Sequence, residues 1–294
     1  MVEEVLISGK SSKVKAFVEL MKLRLSFLVA FSSGFGYILA STDGVNFLTL
    51  TMLSVGGILV SGASIAINQV IEVEFDAVMK RTKDRPLPTG RLSANEAIGF
   101  AVLCFLTGIG LLYFTTNIQT VVLSFISMIL YSFVYTPLKR VGPIAVFVGA
   151  IPGALPPLLG WVAATGTISY EALIIFGIQF IWQFPHFWAI AWVADEDYKK
   201  AGFKLLPGGG KKDIQTAINI MIYTLFLIPL GLLPMYFGIT GINSAVVATI
   251  CGVLFLAQTF GLMRDYSKKS AMKIMYGSFL YLPIVQIAFL LDKI

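Results

Sequence analysis

Charged and reactive side chains are scarce in this chain of 294 residues. Asp, Glu, Lys and Arg make up only 13% of the sequence, which contains two cysteines and a single histidine. So few charges exclude an ordinary soluble domain, in which about a quarter of the residues are charged. The cysteines, Cys104 and Cys251, have no metal-binding spacing, so we expect neither a disulfide framework nor a cysteine-based metal site.

Apolar residues take the place of the missing charges, at 57% of the sequence. Apolar stretches recur that are long enough, at about twenty residues, to cross a bilayer. In lipid the backbone must satisfy its own hydrogen bonds, so each stretch predicts a helix. The remainder is too small for a soluble domain, so residues 1–294 are interpreted as one integral membrane domain. We predict nine spans, over roughly 24–42, 51–70, 95–114, 118–136, 143–163, 168–190, 214–237, 243–263 and 273–291.

The distribution of basic residues supports this count. With the N-terminus inside, every Lys and Arg except Lys293 falls on one side of the membrane. The positive-inside rule then places the N-terminus and the loops 71–94 and 191–213 in the cytoplasm, and the C-terminus across the cell membrane. The net charge of +6 reflects this topology and contact with anionic lipid, and nucleic-acid binding is not expected.

The loops 71–94 and 191–213 are the only inside loops rich in acids. They follow the second and sixth predicted spans, so a four-helix unit with a charged loop is predicted to occur twice. Membrane proteins built from internal repeats commonly place their site at the repeat interface. The sequence therefore predicts an all-α protein with two pseudo-repeated four-helix units plus one helix.

Three oxygen-bearing side chains mark the first charged loop. Asn68, Glu72 and Asp76 are four residues apart, so a continuous helix aligns them in one stripe. Pro86 would end that helix at Arg85. Carboxylate and amide oxygens suit Mg²⁺, and the bases that follow suit phosphate oxygens. The pattern predicts a site for a magnesium-bound polyphosphate.

The second charged loop contains the sequence DEDYKKAGFKLLP. It places three acids beside three lysines, namely Asp195, Glu196, Asp197, Lys199, Lys200 and Lys204. Two acidic clusters on one membrane face would form a clamp for diphosphate and metal. The alternative interpretation is a solvated loop whose charges pair with one another, because such surface pairs are common and contribute little.

Several stretches together resemble a known family. They are NQVIEVEFDAVMKRTKDRPLPTGRLS, YTPLKRVGPIAVFVGAIPGALPPLLGWVAATG, FIWQFPHFWAIAW and DEDYKKAGFKLLP. In order and spacing they resemble the haem O synthases (protohaem IX farnesyltransferases), within the superfamily of intramembrane aromatic prenyltransferases. The resemblance covers nearly the whole chain. The first stretch is typical of the superfamily, and PHFWAIA points to haem O synthases.

The resemblance implies nine helices around a central cavity, with the active site at the cytoplasmic end and Mg²⁺ bound with the prenyl diphosphate. It implies transfer of the farnesyl group of farnesyl diphosphate to a vinyl group of haem b, with addition of water. The implied partners are farnesyl diphosphate, haem b, the lipid bilayer and a downstream haem-modifying enzyme.

The resemblance also implies roles for individual residues. The metal ligands are Asn68, Glu72, Asp76 and Asp197. The diphosphate-binding bases are Arg81, Arg85, Lys139, Arg140 and Lys199. Catalysis is assigned to Asp76, Asp197, Arg85 and Lys139. The second motif departs from the superfamily, where two spaced aspartates are usual, so metal binding by Asp195 or Glu196 stays open.

His186 is the only histidine and lies inside a predicted span. Ionisable residues in a membrane are costly and are functional hypotheses by default. If the helix continues to Asp197, His186 lies roughly 16 Å deeper than that residue. Two interpretations stay open: contact with the porphyrin, as iron ligand or hydrogen-bond partner, and a neutral histidine bonded to a neighbouring helix.

Two other functions fit part of the pattern. A prenyltransferase acting on a quinone precursor such as 4-hydroxybenzoate would use the same diphosphate site, although the histidine of PHFW favours haem. A secondary transporter is also built from repeated helices, but it would carry acids deep in its spans. The acids of this chain cluster at one membrane edge.

Overall fold

A computed structural model describes residues 13–294. Within that range, nine helices are long and apolar enough to cross a membrane, which confirms the predicted all-α membrane fold. In chain order they are α1 (Leu23–Ala40), α2 (Phe47–Ile71), α3 (Ala94–Thr115), α4 (Ile118–Leu138), α5 (Ile144–Thr165), α6 (Tyr170–Val193), α7 (Ile214–Tyr236), α8 (Ile242–Asp265) and α9 (Lys268–Leu291).

Short polar residues fix where most of these helices begin. Each such side chain accepts a hydrogen bond from a backbone N–H of the first turn, which has no partner inside the helix. The capping residues are Asn46, Ser93, Asn117, Ser169, Asp213 and Ser267. Ser93 and Glu96 bond reciprocally in a capping box. The helix boundaries are therefore encoded locally, beyond hydropathy alone.

The helices pack into one bundle whose first and last members meet. α2 packs on α3, α1 on α5, α7 on α8 and α6 on both α5 and α7, while α9 contacts α8, α6 and α1. The charged loops follow α2 and α6, as predicted, and bring their residues together at one end of the bundle. The bundle thus positions two distant parts of the sequence at a single site.

The contact between α1 and α5 is close enough to depend on glycine. A Cβ added at Gly160 would lie 1.8 Å from the carbonyl oxygen of Ser33, and one at Gly36 would lie 1.9 Å from that of Pro157. Small residues that let backbones approach are typical of membrane helix interfaces. Any larger side chain at these positions must push the two helices apart.

We expect Gly160→Ala to destabilise the protein by about 1–3 kcal/mol, because overpacking against backbone cannot relax by a side-chain rotation. Gly177→Ala on α6 is the matched control, since nothing lies within 4 Å of its added Cβ. That change is expected to be neutral or to stabilise by up to about 1 kcal/mol. Thermal unfolding in detergent measures both, and equal midpoints would contradict the close packing.

Amide side chains cross-link the interior of the bundle. Gln286 Nε2 on α9 donates to Ser32 Oγ on α1 and to Gln179 Oε1 on α6, both at 2.9 Å. Ser32 Oγ donates to the same Gln179 oxygen at 2.9 Å. Gln179 Nε2 in turn donates to the carbonyl of Gly153 on α5 at 2.9 Å. Four helices are therefore joined by one buried polar network.

Lys293, the exception to the charge pattern, has a local explanation. Its Nζ donates to the carbonyls of Ile38 and Ser41 at the end of α1. A cation at a helix C-terminus satisfies free carbonyls and interacts favourably with the helix dipole. Its neighbour Asp292 accepts from the N–H of Ser244 at 2.7 Å, at the start of α8. These contacts fasten the chain end to two other helices.

Candidate active site

The first charged motif lies on a broken helix. α2 ends at Ile71, Glu72 leaves helical geometry, and a short helix follows over Val73–Val78. The prediction of one helix as far as Arg85 is wrong, because the chain becomes extended at Met79. The N–H groups of the next two residues bond to a carboxylate of the second loop instead of to helix carbonyls.

The break nevertheless keeps the three predicted ligands on one side. The N–H of Glu72 bonds to the carbonyl of Asn68 at 3.0 Å, and that of Asp76 to the carbonyl of Glu72 at 2.8 Å. All three side chains are buried, with Asp76 only 1% exposed. The four-residue spacing therefore aligns the three side chains, as it would in a continuous helix.

Each buried carboxylate has a basic partner. Arg85 Nη1 lies 2.5 Å from Asp76 Oδ2. Lys139 Nζ lies 2.9 Å from Glu72 Oε1 and donates to Oε2 at 3.0 Å. Buried charges are retained only when paired and hydrogen-bonded. The structure thus brings together the two acids and two of the predicted bases in a low-dielectric environment at the end of the bundle.

A π-helical turn in α4 presents Lys139 to this site. The turn covers Leu130–Tyr135, and such insertions are frequent at functional sites. Asn68 Nδ2 donates to Thr136 Oγ1 at 2.9 Å, which ties α4 to the first motif. The ammonium of Lys139 also lies 4.7 Å from the ring centroid of Tyr135. The first motif and the end of α4 therefore form one unit.

Asp197 joins the second loop to the first. Its two carboxylate oxygens accept from the backbone N–H groups of Lys80 and Arg81, at 3.1 and 3.2 Å. Burial alone would raise the pKa of Asp197, but these two hydrogen bonds and the nearby Lys200 charge hold it below its ordinary value. α6 ends at Val193 and a separate helix covers Asp195–Lys200, so the continuous helix assumed from His186 to Asp197 is wrong.

The other predicted bases lie around the rim of the site. Arg81 faces Tyr198, with Nη2 3.5 Å from the hydroxyl, and Arg140 lies 4.2 Å from the ring centroid of Phe75. Lys199, with its side chain 65% exposed, pairs with the buried Asp195 at 2.9 Å.

Charge pairing thus describes part of the second loop, as the alternative interpretation expected. Lys212 also pairs with Asp195, at 3.2 Å, while Glu196 is exposed.

His186 lies on α6 beside α9. Its Nδ1 is 2.9 Å from Ser278 Oγ, so the bond to a neighbouring helix is present. Trp182 stacks on its ring at a centroid distance of 4.3 Å. Phe187, next along α6, contacts Tyr135 with ring centroids 6.4 Å apart. Aromatic contacts therefore run from the histidine to the ring beneath Lys139.

Sequence reasoning missed Lys22 as a site residue. It precedes α1 in a left-handed backbone conformation, with φ 45° and ψ 57°. Such a conformation costs a non-glycine residue about 1–3 kcal/mol and marks functional sites. Burial lowers its pKa to about 7, helped by the charges of Arg85 and Lys139. In the sequence it was one more lysine at the inside edge of a span.

Lys22 should make diphosphate binding depend on pH. Its ammonium is charged below about pH 7 and neutral above, so affinity for inorganic diphosphate should fall as pH rises through 7. The loss between pH 6 and 8 should reach about tenfold.

Lys22→Arg is the matched variant, because arginine keeps its charge and should remove this part of the dependence. Diphosphate affinity is measured by calorimetry for both proteins at each pH. Protonation of the diphosphate affects both alike, so it cancels when the two pH profiles are compared. Parallel pH profiles would contradict a role for Lys22.

The residues of the first motif fit a magnesium ion. Asp76 Oδ1 is enclosed and accepts no hydrogen bond from residues 13–294, whereas Glu72 Oε1 is already in contact with Lys139 Nζ at 2.9 Å. Enclosed polar atoms without a partner are rare and demand an explanation, and hard carboxylate oxygens are what Mg²⁺ prefers. Within the described chain, however, no three His, Cys, Asp or Glu side chains form a ready metal site. Metal binding would require some exchange of the present ion-pair partners.

Comparison with known proteins agrees with this geometry. The model of the UbiA prenyltransferase family matches residues 28–282, most of the chain. The chain belongs to the UbiA prenyltransferase family. Both charged loops and the end of α4 lie inside the matched range, so the site described above, apart from Lys22, is part of the UbiA domain.

Curated members of the UbiA family share high identity with the chain. A protohaem IX farnesyltransferase of Cytophaga hutchinsonii is 52% identical and aligns over 97% of this chain and 99% of its own. One from Christiangramia forsetii is 45% identical over 96% and 95%. A mitochondrial protohaem IX farnesyltransferase of Arabidopsis thaliana is 36% identical over 95% of this chain and 65% of its own.

Solved structures of the UbiA family share the fold. A digeranylgeranylglyceryl phosphate synthase superposes with a TM-score of 0.79 over 95% of this chain and 98% of its own, at 22% identity. A UbiA homologue from Archaeoglobus fulgidus, bound to GPP and Mg²⁺, superposes with a TM-score of 0.64 over 93% and 99%, at 16% identity. The bundle is therefore that of a UbiA prenyltransferase.

Proposed function

We propose that this protein is a protohaem IX farnesyltransferase, which transfers the farnesyl group of farnesyl diphosphate to a vinyl group of haem b and makes haem O. The observation that carries the proposal is the pairing of Asp76 with Arg85 and of Glu72 with Lys139, buried at one end of a UbiA-family bundle. The identity with protohaem IX farnesyltransferases over nearly the whole chain supports haem as the acceptor.

We infer that the ion pairs exchange partners when substrate binds. The diphosphate offers oxygens to Arg85, Lys139 and Lys22, and the carboxylates of Glu72 and Asp76 are then free to hold Mg²⁺ together with Asn68. Guanidinium and ammonium groups bind phosphate oxygens through charge-assisted hydrogen bonds. The site is therefore charge-balanced both with and without substrate, which limits the cost of burying so many ions.

The bases are placed to stabilise the leaving group. As the allylic C–O bond breaks, both electrons go to the diphosphate, and fixed positive groups stabilise that charge most in a dry site. Bound Mg²⁺ supplies further Lewis-acid stabilisation of the same oxygens. The rings of Tyr131, Tyr135 and Phe187 are in contact with one another beside Lys139. Each ring face stabilises an allylic cation by up to about 2 kcal/mol.

In the second step of the reaction, the haem vinyl group attacks the allylic cation. The vinyl π electrons of haem form the new C–C bond, and the positive charge moves to the carbon next to the porphyrin. Water adds there and loses a proton, which gives the hydroxyalkyl group. We propose that His186 contacts the porphyrin during this step, since its contacts reach Tyr135 through Phe187.

Asp197 is proposed to act at the junction of the two loops. Its bonds to the N–H groups of Lys80 and Arg81 hold the first loop in place, and metal ligation by its remaining lone pairs stays a prediction. Arg81, Arg140 and Lys199 are proposed as rim contacts to diphosphate.

The membrane placement completes the proposal. The chain is an integral membrane protein, and we propose that the whole of it forms one catalytic domain in the cell membrane. The charge pattern supports a cytoplasmic N-terminus and active site, with the C-terminus on the opposite side. The proposed partners are farnesyl diphosphate, haem b, the bilayer and a downstream haem-modifying enzyme.

One assay tests the proposed function. Purified protein is incubated with farnesyl diphosphate, Mg²⁺ and an equimolar mixture of haem b and 4-hydroxybenzoate, and the products are resolved by mass. A farnesylated, hydrated haem is the expected product. A prenylated hydroxybenzoate without modified haem would instead assign the enzyme to quinone synthesis.

A further inference from the structure

Ser278 on α9 receives two neighbouring contacts from α6. Trp182 Nε1 donates to the Ser278 carbonyl at 3.0 Å, and one turn later His186 Nδ1 lies 2.9 Å from the Ser278 hydroxyl. The indole and imidazole rings stack with an interplanar angle of 21°. The histidine ring is therefore held by a hydrogen bond on one edge and by an aromatic ring on one face.

The Ser278 hydroxyl already uses its own proton. Oγ donates to the carbonyl of Met275, 2.6 Å away and one turn back on α9. A hydroxyl has a single proton to donate, and two oxygens this close repel unless that proton lies between them. Ser278 Oγ must then accept from His186, so the neutral imidazole carries its proton on Nδ1. The other ring nitrogen, Nε2, is left with a free lone pair.

Nε2 is directed away from Ser278 into an aromatic environment. Within residues 13–294 it has no hydrogen-bond partner, and His186 itself is half-buried. The rings of Phe187 and Phe279 lie beside the imidazole, at centroid distances of 5.4 and 5.3 Å. Phe279 is 44% exposed. The edge of the imidazole that carries Nε2 therefore faces aromatic rings, which suit contact with a planar aromatic ligand such as a porphyrin.

We propose that Ser278 is a positioning residue that fixes the tautomer of His186, so that Nε2 ligates the iron of the haem substrate. The inference rests on the proposed function, because it takes haem b as the acceptor. Neutral imidazole is the commonest metal ligand, and its second N–H is almost always bonded to an acceptor that sets its orientation and raises its basicity. In this protein the acceptor is a serine hydroxyl with a committed proton.

Ligation of the iron by His186 would place the haem close to the diphosphate site. Phe187 touches both the imidazole and Tyr135, and Tyr135 lies beneath Lys139. Iron held at Nε2 would anchor a porphyrin next to the aromatic path that leads to the diphosphate. The position of the bound iron then determines which vinyl group of the haem lies next to the allylic carbon. Holding the two reactants together in this way lowers the activation barrier of the transfer.

The test uses full-length protein in detergent, titrated with haem b in the absence of farnesyl diphosphate. Wild type is expected to give the absorption spectrum and ferrous iron–nitrogen stretch of a histidine-ligated haem. Ser278→Ala should weaken haem binding by about 10–100-fold, in line with other outer-shell partners of metal ligands. It should also lower the stretching frequency, because the imidazole loses its acceptor, and Ser278→Thr should restore both.

Two further variants separate this role from packing. Ser54→Ala is the matched control, since that serine bonds only to the Leu50 carbonyl of its own helix, and it should leave the haem spectrum unchanged. His186→Gly should lose the histidine signature and regain it with added imidazole.

An unshifted stretch in Ser278→Ala, or a His186→Gly spectrum identical to wild type, would overturn the inference. Parallel assays of farnesyl transfer keep the two proposals distinguishable. If wild type makes farnesylated haem but its haem spectrum lacks the histidine signature, only the proposed iron ligation is refuted. Failure to form any farnesylated haem removes the proposed function.

Discussion

Asp76→Asn is expected to lower kcat for farnesyl transfer by at least about 1,000-fold, the upper range for loss of one group that stabilises developing charge. Asp76 is almost completely buried, pairs with Arg85, and keeps one carboxylate oxygen free of any hydrogen bond from the described residues. The amide removes half of the carboxylate charge available to Mg²⁺ and leaves a guanidinium without its partner. Single-turnover formation of farnesylated haem measures the loss.

Glu74→Gln is the matched control for that experiment. Glu74 lies on the same short helix but is exposed, so its stability should change by no more than about 0.5 kcal/mol and its turnover should be retained. The paired variant Asp76→Asn/Arg85→Gln removes the charge imbalance and should recover stability without recovering activity. Haem O formation by Asp76→Asn close to the wild-type rate would refute the assignment of Asp76.

Lys139→Met is expected to lower kcat by about 100- to 1,000-fold, because one fixed charge facing the leaving diphosphate is lost. The variant also leaves Glu72 buried without a cation, which costs about 3–5 kcal/mol of stability. Lost activity alone would therefore not distinguish chemistry from misfolding. Turnover must be compared with thermal unfolding of the same preparation.

The double variant Glu72→Gln/Lys139→Met separates these two effects. It removes both buried charges, so its unfolding midpoint should return towards that of wild type while turnover stays low. Lys83→Met changes an exposed lysine of the loop 71–94 and should behave as wild type in both measurements. If Lys139→Met were to keep more than about a tenth of wild-type turnover, the proposed diphosphate contact would have to be abandoned.

The bundle could be predicted because its signals are local. Each span can be identified from its length and apolar composition, and the alternation of basic residues between loops indicates the number of spans. The predicted boundary of α9 began at 273, whereas the helix starts at Lys268. The lysines at the start of α9 belong to the helix although they lower its hydropathy. Hydropathy thus finds the part of a helix that lies in lipid, and capping residues such as Ser267 decide where the helix begins.

The site was predicted less completely, because part of it depends on contacts between distant residues. The acids of the first motif follow helical spacing, so the sequence identified Asn68, Glu72 and Asp76 together. The end of the short helix at Val78 depends on Asp197, more than a hundred residues away, whose carboxylate binds the following N–H groups. Lys22 reaches the site through a left-handed backbone conformation that the local sequence pattern does not predict.

The network of Ser32, Gln179 and Gln286 sets an order of events during synthesis. The ribosome delivers α1 first and α9 last, so Ser32 and Gln179 enter the membrane long before the amide of Gln286 that bonds to both. Until then Ser32 and Gln179 share one hydrogen bond but lack the donor that Gln286 adds to both oxygens, in a medium that offers no water. The final span is therefore the piece that completes assembly. A nascent chain stopped before it would leave the oxygens of Ser32 and Gln179 without the amide donor of Gln286.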